Sequence, residues 1–156
     1  MTQITASRQT GAPGLPAELE ASTGYLLGKA MQRATALMDG ALSRRGLKAR
    51  HYGVLLVVRD APRSQQEVGE LLAIDRTTMA AIVDDLERLG LAERRPHPAN
   101  RRGYQVRLTD SGRRRLKAII AEVRQADLEL TAGLTTGETE QLRKLLCAVA
   151  APLLPS

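Results

Sequence analysis

Phenylalanine and tryptophan are absent from this chain of 156 residues, and tyrosine occurs only three times. A core therefore has to be assembled from Leu, Val, Ile, Ala and Met, side chains that suit helices packing on helices. Cysteine occurs once, so no intrachain disulfide can form. One thiol with two distant histidines, His51 and His97, cannot build a structural zinc site either. No apolar run, Val54–Val58 included, approaches the roughly 20 residues that a bilayer-crossing helix requires, so no membrane partner is expected. Met1–Pro13 is rich in Thr, Ser, Gln and Gly and lacks the apolar stretch of a secretory signal. A cytoplasmic location is the expectation. Also missing are a glycine-rich phosphate loop, a metal-ligand cluster and a nucleophile with a spaced histidine partner. Catalysis is therefore not expected, and no cofactor or metal is implied.

What is present starts with charge. The chain carries 23 Lys or Arg against 17 Asp or Glu, a formal net charge of +6. Its placement says more than its size. Residues 93–117 hold nine Lys or Arg against Glu93 and Asp110, an excess at least as large as that of the whole chain. Such a cluster reads either as a solvated basic face or as a phosphate-binding surface, and the motif beside it favours the second.

The periodicity lays out one domain. Residues 1–15, punctuated by Gly11, Pro13 and Gly14, read as a flexible arm. Pro16, with Glu18 and Glu20 at the positive end, opens one long helix to about Arg45, and Gly46 stops it. A second helix covers about Ala49–Asp60 and ends before Pro62. Ser64-x-x-Glu67 is a capping box opening a third, which turns Val68, Leu71 and Leu72 inward and ends near Ile74. Asp75 caps a fourth, in which Met79, Ile82, Val83, Leu86 and Leu89 form one apolar stripe. Its opposite face shows Arg76, Thr77, Thr78, Ala81, Asp84, Asp85 and Arg88, and Gly90 ends it. Leu91–Arg95 and Tyr104–Thr109 alternate like two strands around a loop containing Pro96, Pro98, Asn100 and Gly103. Thr109 or Asp110 caps a fifth helix of about twenty residues. A last helix opens at Thr135 or Thr136 and runs through Leu142, Leu145, Leu146, Val149 and Leu153. The fold class is mainly α with a small β-wing: a winged helix-turn-helix at 49–109, flanked by long helices at 16–48 and 110–156.

The segments Leu71-Leu72-x-Ile74-Asp75-x-x-Thr78, Ile82-Val83-x-x-Leu86-Glu87-x-x-Gly90-Leu91-x-x-Arg94 and Val106-Arg107-Leu108-Thr109-x-x-Gly112 resemble the multiple antibiotic resistance regulator (MarR) family of bacterial transcription factors. Helix order and length match that family over about residues 18–154. One departure lies in the wing, where the family usually has Asp-x-Arg and this chain has Asn100-Arg101-Arg102. Asn100 keeps a hydrogen-bond acceptor but loses the charge.

The resemblance implies a homodimeric, ligand-responsive repressor that binds double-stranded DNA at a palindromic operator. The helix capped by Asp75 would read the major groove. Arg76 suits a guanine or a phosphate; Thr77 and Thr78 suit either base contact or simple capping, and Ala81 permits close approach. Ser64 and Gln65 open the preceding helix, where free amides can meet a phosphate. Arg102, and with it Arg101, matches the arginine that in the family enters the minor groove. Arg94, Arg95 and Arg107 suit phosphate contact or wing scaffolding, whereas Asp84 and Asp85 need an arginine partner or distance from the backbone. Leu19, Leu26, Leu142, Leu145, Leu146, Val149 and Leu153 are the expected dimer contacts. A phenolic or anionic aromatic effector would be lined by Tyr25, Met31, Met38, Arg50, His51 and Tyr52, although Met and Tyr at helical spacing equally make core and His51 equally suits a cap. Cys147, on the apolar run of the last helix, reads as a buried inert thiol. The competing reading is a winged-helix domain used for low-specificity architectural DNA binding or for protein interaction.

Overall fold

Helix boundaries follow the caps. In the computed structural model, which describes residues 14–151 and leaves the side chains at 100–102 outside that description, Ser64 accepts the Glu67 amide at 3.2 Å. The Glu67 carboxylate in turn accepts the Ser64 amide at 2.7 Å. Asp75, Thr109 and Thr135 likewise accept the amide three residues on, and of these Thr135 alone repeats the reciprocal box, with Glu138. The order is α1 (Ala17–Glu20), α2 (Thr23–Ser43), α3 (Ala49–Val57), β1 (Arg63–Ser64), α4 (Gln65–Leu72), α5 (Arg76–Arg88), β2 (Ala92–His97), β3 (Asn100–Leu108), α6 (Asp110–Leu130) and α7 (Thr136–Ala150). Leu153 and the arm before Gly14 lie outside the described residues. Among the described residues no helix is long and apolar enough to cross a membrane.

Two elements depart from the sequence expectation. The first long helix is broken: α1 ends at Glu20, and Ser22 starts α2 by accepting the Tyr25 amide at 3.3 Å. A serine that can cap competes with the helix it interrupts. The wing also has a third strand. The two residues of β1 pair antiparallel with β3, giving the order β1-β3-β2, with Arg63 opposite Val106 and Arg94 opposite Val106 from the other side. Strand β2 is therefore an edge, where Pro96 costs no ladder bond, and the register slips between Pro96 and His97.

The core belongs to the head. Leu42 and Leu47 from the α2 end, Val54, Leu55 and Val58, Val68, the Met79–Leu86 stripe, Leu91, Val106 and Leu108 are all closed from solvent. Leu116, Ile119 and Val123 of α6 join them, and Arg45 donates two 2.8 Å bonds to Glu122, tying the α2 end to α6. The α4–α5 turn passes through Ala73 at φ 51°, a left-handed position that glycine would fill more easily. At the base of the wing, Thr109 donates its hydroxyl to the Gly90 carbonyl at 2.7 Å and accepts the Gly112 amide at 2.9 Å. The α6 start is thereby laid directly on the α5–β2 corner.

Candidate nucleic-acid interface

The first turn of α5 combines a fixed backbone with free side chains. Asp75 accepts the Thr78 amide at 2.9 Å and the Thr78 hydroxyl at 2.6 Å, and these donors hold its carboxyl below the usual carboxylate range. Met79, Ile82, Val83 and Leu86 are buried, so the helix cannot rotate without opening the core. Arg76, Thr77 and Ala81 are exposed on the other side. No described residue pairs with the Arg76 guanidinium. Thr78 is different: its hydroxyl proton belongs to Asp75, which makes it a cap before it is a reader. Asp84 and Asp85 each find an arginine, Asp84 with Arg94 at 2.7 Å and Asp85 with Arg88 at 2.8 Å.

Strand alternation sorts the wing arginines. Glu93, Arg95 and Arg107 share one side of the sheet, where Glu93 bonds Arg107 at 2.8 Å and Arg95 at 3.0 Å. Both cations hold its carboxyl well below its usual range, and both remain partly open to solvent. Arg94 occupies the opposite side, facing the helices, with only 22% of its side chain exposed. Its three guanidinium nitrogens all meet protein acceptors, so of the two roles expected for it, phosphate contact or wing scaffolding, the geometry favours scaffolding: an arginine so engaged has no free edge for phosphate. Ser64 is likewise closed on Glu67, while Gln65 uses only its carbonyl, accepting from Arg94. Arg101 and Arg102 lie in β3, but their side chains fall outside the described residues.

One further residue belongs to this surface and was missed. Tyr104, 59% exposed, lies on the side of β3 that carries Val106 and Leu108, one step beyond the end of the core. With Gln65, Arg76, Ala80 and His97 it rims a groove of about 970 Å³ between α4, α5 and the wing. Its signal in the sequence is an aromatic that continues a strand's apolar alternation into the wing loop.

Residues 45–103 match the model of the MarR family. The HTH-type transcriptional repressor NicR of Pseudomonas putida is 33% identical over 94% of this chain and 93% of its own length. The chain belongs to the MarR family. The transcriptional repressor CouR bound to a 23-mer DNA duplex superposes with a TM-score of 0.80, at 30% identity over 85% of this chain and 95% of that one. CouR of Rhodococcus jostii bound to p-coumaroyl-CoA gives a TM-score of 0.75, at 26% identity over 88% and 98% of the two chains.

The effector residues are not gathered as expected in this MarR-family chain. His51 is 5% exposed; its Nδ1 accepts the Lys48 amide at 2.8 Å, and its Nε2 lies 3.3 Å from Asp85. It is a cap within the core and offers no nitrogen to a ligand. A hollow of about 380 Å³ near the α5 start is lined by Arg50, Gly53, Leu72, Asp75 and Thr78, and of the six named residues it includes Arg50 alone. Met31 points to solvent, Met38 and Tyr52 pack at the edge of the core, and Tyr25 is half-buried. Burial, with Asp127 nearby, pushes the Tyr52 hydroxyl above its usual pKa.

The long helices tell the opposite story to the head. None of the 15 residues of α7 is buried, and Leu142, Leu145, Leu146 and Val149 are all exposed. Leu19 of α1, Leu26 and Met31 of α2, and Leu128 of α6 are open as well. Cys147 departs from the expectation of a buried thiol: in the single chain it is exposed, on a helix with no buried residue.

Proposed function

We propose that this chain is a sequence-specific transcriptional repressor acting as a homodimer, with α5 in the major groove of each half of a palindromic operator and the wing in the adjoining minor groove. The observation that carries this reading is the capped first turn of α5. Arg76, Thr77 and Ala81 stand free there while the stripe behind them locks the helix into the head. A bidentate arginine–guanine pair is worth about 1–3 kcal/mol of discrimination, so Arg76 is the principal base reader on this helix. Thr77, Arg95, Arg107, Gln65 and Tyr104 add backbone contacts, and Arg102 with Arg101 follows the minor groove. That the relative CouR is a repressor bound to a DNA duplex supports the DNA-binding reading.

The dimer reading rests on the large apolar side chains left open on α1, α2, α6 and α7, which a second copy would cover. Leu153 would extend the same interface. Release by a phenolic or anionic aromatic compound completes the reading, with Arg50, which lines the hollow beside the α5 start, as its counter-charge; CouR with p-coumaroyl-CoA is the relative that suggests it.

Footprinting of the full chain on the DNA upstream of its own gene, with a salt titration against scrambled duplex, tests the function. A protected palindrome bound far more tightly than scrambled DNA at physiological salt is the expected result. Equal binding to both, lost together as salt rises, would establish the low-specificity architectural reading instead.

A further inference from the structure

We propose that Arg94 is a positioning residue for DNA reading: one partly buried guanidinium that holds α4, α5 and the wing in a single relative geometry, so that recognition depends on it although it does not touch DNA. The inference rests on the DNA-reading function proposed above.

The guanidinium is planar and directs five N–H donors along fixed directions, so its partners are held in fixed relation to each other. From β2, Nε donates to Gln65 Oε1 at 3.2 Å, which reaches the first residue of α4. Nη1 donates to the Glu87 carboxylate, and Nη2 donates to the Ala80 carbonyl at 3.2 Å while lying 2.7 Å from Asp84 Oδ1. Ala80, Asp84 and Glu87 are spaced four and three residues apart, one line along α5. The Arg94 amide closes the set by donating to Glu87 Oε1 at 2.7 Å. Across the strand Arg94 stands opposite Val106, which is fully buried and itself paired with β1. Every element that would meet DNA is thus tied to this one side chain.

The lock also accounts for a carboxylate in an awkward place. Asp84 is 69% exposed on the reading helix, where a bare acid repels the phosphate backbone. Its pairing with Arg94 neutralises it and makes it part of the lock. Lysine cannot substitute, because one ammonium with three donors on a flexible stem cannot fix the four acceptors of Gln65, Ala80, Asp84 and Glu87 at once.

The test is fluorescence anisotropy of the full-length protein on two duplexes of equal length, the fragment upstream of its own coding region and a scrambled version, over a range of salt. Parent, Arg94→Lys, Arg94→Ala and Asp84→Ala are compared, and thermal melts report the folded fraction. Both Arg94 variants are expected to lose about tenfold or more in affinity for the upstream fragment, with little change on the scrambled duplex. The slope of log affinity against log salt should stay at the parent value. Two results would overturn the proposal. One is a slope reduced by about 0.9 per subunit with Arg94→Lys restoring affinity, the signature of a direct phosphate contact. The other is full affinity in the folded Arg94 variants, the signature of a purely structural part. Asp84→Ala, a surface change that the fold tolerates, supplies an independent sign. Loss of a negative charge alone would tighten binding, whereas loss of the lock weakens it a few-fold; tighter binding refutes the lock. A parent that binds both duplexes equally refutes the functional reading itself, before any variant is compared.

Discussion

Gly112 is the sharpest test of how the head is joined to the long helices. Helix propensity alone says that alanine at this position of α6 should stabilise by up to about 1 kcal/mol. Contact geometry says the reverse. A Cβ there would stand 1.9 Å from the Leu91 carbonyl oxygen, where ordinary contact begins at 3.4 Å. The obstacle is backbone, so no rotamer relieves it. Relief requires the α6 start to withdraw by about 1.5 Å, which follows from those two distances. That displacement breaks the 3.1 Å bond from the Thr109 amide to Leu91 and the 2.7 Å bond from the Thr109 hydroxyl to Gly90. Each is worth about 1 kcal/mol, and overpacking adds about 1–3 kcal/mol. Net of propensity, Gly112→Ala should destabilise by about 2–4 kcal/mol. For a chain of this size that lowers Tm by roughly 5–15 °C. Circular dichroism melts at matched protein concentration read it directly. A Tm equal to or above the parent's would refute the close approach and leave propensity in charge.

The other predictions concern the turn, the acid range and the open helices. Ala73→Gly relieves a left-handed alanine that costs about 1–2 kcal/mol, against the extra backbone entropy of glycine, and should raise Tm by about 1–4 °C; a lower Tm would count against the turn. Asp75, Asp85, Glu93 and Glu122 all have folded-state pKa values below their ordinary ones, because Thr78, Arg88 with His51, Arg107 with Arg95, and Arg45 favour the charged forms. Their stabilisation is therefore complete above the usual carboxylate range and drains away as pH falls through it, so Tm should be level down to about pH 5 and decline below about pH 4. A Tm that rises on acidification would contradict those pairings. Leu145→Glu changes a residue 58% exposed in the single chain, so the head should keep its structure while light scattering shows the species shifting from dimer to monomer. An unchanged dimer would remove α7 from the interface.

The helix-turn-helix was legible because its punctuation is chemical. The Ser64–Glu67 box, the Asp75 cap and the Gly90 stop each satisfy backbone groups locally, and local chemistry can be read from neighbours in the chain. The break at Ser22 was harder, since the apolar positions on either side stay near helical spacing while the serine only competes with the helix. Strand β1 has two residues and so no alternation to detect. Arg94 illustrates the deeper limit. Counting basic residues over 93–117 gives the sign of a surface, but which arginine turns inward depends on strand parity relative to Ala92 and Val106 and on acids seven and ten residues earlier. His51 took the capping role that the sequence also allowed, whereas Cys147 departed from its expectation. The histidine is enclosed by a cap and an α5 acid, and the cysteine sits on a helix that the chain by itself leaves uncovered.

That uncovered helix gives the protein a sense of its own abundance. No residue of α7 is buried within the chain, so in the proposed homodimer its apolar face would be covered by a second copy, and pairing would scale with concentration. Occupancy of a two-headed operator would then rise more steeply than in proportion to the number of chains, and Tm would climb on mere concentration. If the proposed homodimer is the form that binds, such a regulator would be silent when scarce and decisive when plentiful, with the threshold set by the leucines of α7.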